Sequence, residues 1–207
     1  MCFNEQVSIG TYIIGMVSSM LLWTLGKPEY KIIAIFFIFA IQMQLIEFFL
    51  WRNQECNDTN KLISIAGMLL NHLQPVILFL AVMYFKGGSI NKQYRSIMII
   101  TLLIYLAVII PYSLEYLKTN ICTNKSIPDN DHINWDWTHL HNAQIIYLIF
   151  LLSFLIIGYP IGKYFTAVIL ISFIISYFIY GTQKVVGPMW CFLAAFPPLF
   201  YYIIAKM

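Results

Sequence analysis

The residues best suited to chemistry are Cys2, Glu47, His72, His139, His141 and Cys191. Cys2 stands in MCFNEQ at the start of the chain and Cys191 in PMWCFLAAF near its end, so a Cys-Phe pair occurs twice. Glu47 lies in QMQLIEFFLW, with Gln44 three residues before it and Trp51 four after. A carboxylate among apolar residues suits a proton carrier, a metal ligand or a general base, because its charged form is costly away from water. Cys191 follows Gly187-Pro188-Met189-Trp190, a helix start with Pro near its first turn. A thiol close to a helix N-terminus is favoured as the reactive thiolate.

His139 and His141 are the metal-ligand candidates, with zinc as the metal. Spaced by two, they point about 200° apart on a helix, unlike the i, i+4 pair of a helical zinc site. On an extended segment they share a face. Asp129, Asp131 and His132 are nearby donors, or solvated loop residues. No HExxH or CxxC spacing is present. His72, beside Asn71 and Gln74 and just before Pro75, reads first as part of a polar network between helices.

These groups must be held by elements that suit a membrane. The chain has 207 residues, 60% hydrophobic and 10% charged, with mean hydropathy +0.77. A soluble domain carries roughly 25% charged residues, so much of this apolar surface must face lipid. The net charge of +3 is scattered, which leaves no footprint for nucleic acid. Abundant Ile, Tyr, Asn and Lys suit an AT-rich genome, viral, protist or bacterial. Residues 1–207 read as a single integral membrane domain in a plasma membrane, or in a host membrane for a viral chain.

A crossing helix needs about 20 mainly apolar residues. Seven stretches qualify: Val7–Leu25, Ile32–Trp51, Leu62–Phe85, Ile97–Tyr112, Leu140–Tyr159, Tyr164–Tyr180 and Gly187–Ala205. The fourth is short if it stops at Pro111. Between the fifth and sixth, Gly158, Pro160 and Gly162 break the helix. The expected fold is all-α, a polytopic bundle of seven transmembrane helices. The first span is not a cleaved signal: Glu5 precedes it and no small-residue cleavage site follows.

Alternating the loops puts Lys27, Lys31, Lys86, Lys92, Arg95, Lys163 and Lys206 on one side, with Glu29 as that side's acid. Arg52, Lys61, Lys118, Lys125 and Lys184 fall on the other side, with seven acids. Counting Lys and Arg favours the N-terminus outside and the C-terminus in the cytosol. Cys56 and Cys122 then share the outside, where a disulfide between them would persist. Trp51, Trp135 and Trp137 read as interface anchors. Thr11, Gly15 and Ser19, each four apart, form a small-residue stripe for helix contact. No lysine lies within a span, as a retinal Schiff base would require, and no inverted repeat or broken-helix pair is visible.

The chain resembles a family of uncharacterised multi-pass membrane proteins, mostly bacterial, with relatives in large DNA viruses. Members begin Met-Cys-Phe-Ser, carry Gln-Gln-x-x-Glu-Gly-x-x-Trp in the second span and end with Trp-Cys-Phe-Phe-Ala-Ala in the last. The matching residues are Met1-Cys2-Phe3, then Gln44, Glu47 and Trp51, then Trp190-Cys191-Phe192 with Ala194-Ala195. Asn4, Met43, Phe48 and Leu193 depart from the pattern. The resemblance implies an architecture and a choice of residues, and no reaction.

Three functions compete on this reading. The first is transport or sensing of a small molecule or ion through an outward-facing polar site near Cys2, Glu47 and Cys191, between spans one, two and seven. The second is a membrane-embedded metal- or thiol-dependent enzyme using Cys2, Cys191, Glu47 and His139 or His141. The third is a structural or partner-binding membrane protein whose polar groups join its helices.

Overall fold

A computed structural model describes residues 4–125, 132–135, 137, 147–153, 162–180 and 185–207. Cys2, His139 and His141 lie outside the described residues. The helices are α1 (Glu5–Trp23), α2 (Pro28–Ala40), α3 (Gln42–Arg52), α4 (Asp58–Lys86), α5 (Lys92–Tyr116), α6 (Gly162–Tyr180), α7 (Val186–Leu193) and α8 (Pro197–Lys206). Residues 147–153 are also helical. With α2–α3 and α7–α8 each taken as one interrupted rod, the described residues make seven helical rods. Five are long and apolar enough to cross a membrane: α1, α2–α3, α4, α5 and α7–α8. Among the described residues there is no strand, only an isolated antiparallel bridge between Lys125 and Ile133.

Asparagines start three of the helices. Asn4, Asn57 and Asn91 each accept a hydrogen bond from a backbone N–H of the first turn, at 2.9, 3.0 and 2.9 Å, satisfying a donor that has no partner inside the helix. Asn4 occupies the place where the resembled family has Ser, another side chain that caps well. α2 starts differently, with Pro28 at its first position after Gly26, whose φ of 77° suits a residue without Cβ.

α2 lies between α1 and α4. Its Ile33, Phe36 and Phe37 meet Leu78 and Val82 of α4, Leu151, and Phe165 of α6 in the main core. α1 turns Ser8, Thr11, Gly15, Ser19 and Leu22 inward, so the small-residue stripe is a packing face. Its hydroxyls are satisfied within the helix, Thr11 donating to the Val7 carbonyl at 2.6 Å and Ser19 to the Gly15 carbonyl at 2.7 Å. Ile13, Val17 and Met20 are exposed, as lipid-facing residues would be. α5 buries only a narrow seam of Met98, Tyr105, Ile109, Tyr112 and Tyr116. It also runs four residues beyond the expected end at Tyr112, passing through Pro111. One missing N–H does not stop a helix whose neighbours hold it in place.

The two ends of the bundle differ. At one end, Arg52 pairs with Glu5 at 3.7 Å, and Cys56 and Cys122 are joined as a disulfide with Cα atoms 5.2 Å apart. Asn60, fully buried, clamps the same loops. Its Nδ2 donates to the carbonyls of Asn53 at 2.6 Å and Thr123 at 2.7 Å, and its Oδ1 accepts from the Thr123 N–H at 2.9 Å. We call this the cap end. At the opposite end Glu29 pairs with Lys86, and Lys31 sits over the rings of Trp23 and Phe85 at 5.4 and 5.9 Å.

Candidate functional site

Two helix breaks position the site, and neither is announced by a glycine. At Ile41 the chain tightens into a three-residue turn: Gln44 N–H donates to the Ile41 carbonyl at 2.9 Å. The Gln42 side chain donates to the Ile38 carbonyl at 2.9 Å, inserting into the helix ladder as kinks require. α1 approaches this break closely. A Cβ on Gly15 would stand 2.5 Å from Cγ1 of Ile41, so any larger residue would force the Ile41 side chain to move. The second break follows Leu193. Ala195 N–H reaches back three residues to the Phe192 carbonyl at 3.2 Å, and Pro197 and Pro198 open α8 with no N–H to offer. The single last span expected at Gly187–Ala205 is therefore two helices, and the broken-helix pair that the sequence does not display is present.

Both breaks line one cavity of about 20 Å³, with Ile41 from the first, Ala194 and Pro197 from the second, and Gln74, Ser172 and Cys191 beside them. A second cavity of about 20 Å³ is bordered by Asn71, Trp135 and Gly187. Tyr147, Trp190 and Cys191 line both. Trp190 is oriented by its Nε1–H, which donates to Ser172 Oγ at 3.0 Å, and by edge contacts with Tyr147 and Phe173. The Tyr147 hydroxyl donates to Gln74 Oε1. Pro75 removes the N–H that would ordinarily reach the Asn71 carbonyl, so α4 too is weakened at this level.

Glu47 sits on the face of α3 formed by Met43, Gln44, Glu47 and Leu50, positions that share one side of a helix. It is 0% exposed and accepts a hydrogen bond from Gln44 Nε2 at 3.0 Å. The carboxylate is enclosed by the bundle. Cys191 packs in the same cluster as Met43 and Leu50, which share that face with Glu47. Cys191 is the sixth residue of α7 and buried. That is beyond the first turn, where free N–H groups lie, so the argument for helix-terminus activation falls away.

The cap end closes over this cluster. Trp135 and Trp137 are stacked, with centroids 5.3 Å apart and an interplanar angle of 18°. They are 1% and 0% exposed. Both were expected as interface anchors; instead they fill the bundle above α3 and α4. Gly67 of α4 makes room, since a Cβ there would lie 2.9 Å from Trp137 and 2.9 Å from Ile46 of α3. Tyr112 donates its hydroxyl to the Trp137 carbonyl. Trp51 is part-buried, with Lys125 Nζ 5.1 Å above its ring. Phe48, at the glycine position of the resembled motif, carries the Arg52 guanidinium 5.5 Å from its ring. The close helix approach on this side falls at Gly67.

His72 belongs elsewhere. Its Nδ1 lies 2.9 Å from Ser113 Oγ, while Ser113 donates to the Ile109 carbonyl at 2.7 Å. With the hydroxyl proton so used, Nδ1–H is the donor to Ser113. Tyr105 donates to the His72 carbonyl at 2.7 Å. This is the inter-helix network the sequence suggests, joining α4 to α5. Of the sequence-predicted site residues, the structure brings together Gln44, Glu47, Trp190 and Cys191, and sets His72 apart. Among the described residues no three of His, Cys, Asp and Glu gather as metal ligands. The zinc reading therefore rests on Cys2, His139 and His141, which lie outside them. Sequence reasoning missed Tyr147 and Ser172, for which no local signal exists, and read Gln74 only as a neighbour of His72.

The fold and this cluster fit a multi-pass helical membrane protein. No family model, curated protein or solved structure matches the chain.

Proposed function

We propose that the chain is an integral membrane protein that moves a small ion or small molecule, with Glu47 as its ionisable group. The observation that carries this reading is the meeting of two interrupted helices at a cavity lined by Cys191, which packs against the α3 face that holds the fully buried Glu47. Transporters build their sites from discontinuous helices within the membrane, because freed backbone groups there serve as ligands. An acid enclosed among membrane helices is costly to keep and marks a pathway by default. On this reading the arrangement is an occluded state. Trp135 and Trp137 cover the site from the cap end, and the cavities are water-sized.

In this reading the cap end faces outside and the end with Lys27, Lys31, Lys86 and Arg95 faces the cytosol. Glu5, at the start of α1, reaches Arg52 at the cap end. The disulfide between Cys56 and Cys122 then lies in an oxidising compartment. The resemblance to the uncharacterised membrane family stays part of the proposal, since its motif residues Gln44, Glu47, Trp190 and Cys191 are neighbours.

Proton flux tests the reading. Protein reconstituted in vesicles with an entrapped pH-sensitive dye should dissipate an imposed pH gradient. Glu47→Gln, which keeps the shape and the Gln44 contact, should slow it at least about ten-fold. Equal flux in the two proteins, or none above empty vesicles in wild type, would remove Glu47 as carrier and favour a purely structural bundle.

A further inference from the structure

We propose that the cavity between the two helix breaks is a binding site for one water molecule, shared by the Gln74 amide and the Cys191 thiol. Its volume of about 20 Å³ exceeds the roughly 10–15 Å³ that a water needs. A buried water also needs two to four polar partners, and the walls supply them.

Gln74 is 3% exposed. Its Oε1 accepts from Tyr147, while its Nε2 has no hydrogen-bond partner among the described residues. A buried amide donor left unpaired is costly, and the water oxygen is the acceptor that removes the cost. On the facing wall Cys191 is a free thiol, able to donate and accept weakly. Ser172 Oγ accepts from Trp190 and donates to the Ile169 carbonyl at 2.9 Å, which leaves it one lone pair for a water proton. Pro198 has no N–H for the Ala194 carbonyl, and Ala194 lines the same space.

The site is polar enough to hold water and too small for an organic solute. No charged side chain borders it, so a neutral molecule fits better than an ion. The water joins α4 to α7 where both rods are weakened, and it stands between the Glu47–Cys191 side and the Gln74–Tyr147 side of the bundle. It deepens the transport reading by giving that path its first polar step, yet its presence does not depend on transport.

A structure of the full chain in lipid nanodiscs, at a resolution that shows ordered water, tests the proposal. One peak within hydrogen-bond distance of Gln74 Nε2 is expected. An empty cavity, or density of a lipid tail, overturns it. Infrared spectra of a Cys2→Ser background isolate the Cys191 S–H stretch, and Gln74→Leu should shift that band as the water leaves. An unmoved band, with the bundle intact, overturns the sharing with Cys191. Vesicle flux is read separately, so a failed transport reading with the peak present stays distinct from a missing water.

Discussion

Two of the polar clusters buried among the described residues are built on opposite plans. Around His72 the hydrogen bonds run as a chain that ties α4 to α5. His72 donates to Ser113, Ser113 to the Ile109 carbonyl, and Tyr105 to the His72 carbonyl. No helix is interrupted there except by Pro75 and Pro111, which the rods absorb. Around Glu47, Gln74 and Cys191, two rods are broken, two cavities adjoin, and a buried amide nitrogen keeps its capacity. A linked network stiffens a membrane fold, whereas spare capacity beside spare volume leaves room for a ligand. Polarity within a span does not by itself separate the two.

The sharpest way to break this contrast is to exchange effects between the clusters. Glu47→Gln should reduce proton flux by about ten-fold or more while leaving the unfolding midpoint within a few degrees. His72→Ala should do the reverse, costing roughly 1–3 kcal/mol of stability and sparing flux. Flux loss in His72→Ala with full stability would merge the two clusters into one path.

The largest effect on stability concerns the cap over Glu47. Cys56→Ser with Cys122→Ser opens a loop that a 66-residue separation closes, worth about 4 kcal/mol in the chain-entropy account. Differential scanning under non-reducing conditions measures it, and finding two free thiols in wild type by mass mapping would remove the bridge. Gly15→Leu should destabilise by about 1–3 kcal/mol, because α1 must back away from Ile41. Denaturation in detergent reads this. An unchanged midpoint would show that the break at Ile41 yields easily. The smallest change expected is Ser113→Ala, about 1 kcal/mol, again with flux intact.

Much of the architecture is legible in the sequence because hydropathy needs only composition over a window. The rods, the turn at Gly26-Lys27-Pro28 and the small-residue stripe on α1 all follow from local residue types. The break at Ile41 does not. It depends on a Gln42 side chain turning back to Ile38 and on Gly15 arriving from another helix, both invisible to a one-dimensional reading. Pro197-Pro198 could have signalled the second break, and Pro111 shows why proline alone is a poor guide. α5 passes through it because one missing hydrogen bond is tolerated. Trp135 and Trp137 look like anchors because tryptophan favours interfaces. The room for Trp137 depends on Gly67, about seventy residues away. In the site, the Gln44–Glu47 pair was readable from its i, i+3 spacing, while Gln74, Tyr147 and Ser172 meet only through tertiary packing.

The cysteine pair carries a consequence for how such a chain is made. Cys56 precedes α4 and Cys122 follows α5, so two helices long enough and apolar enough to cross a membrane separate the sulfurs in the order of synthesis. Under the proposed topology they meet only after both helices have entered the bilayer and returned to the same face. Pairing then serves as a clock for biogenesis. A chain carrying this bond has completed its α4–α5 hairpin, and a pulse-chase that follows thiol capture would time the insertion of those two helices directly.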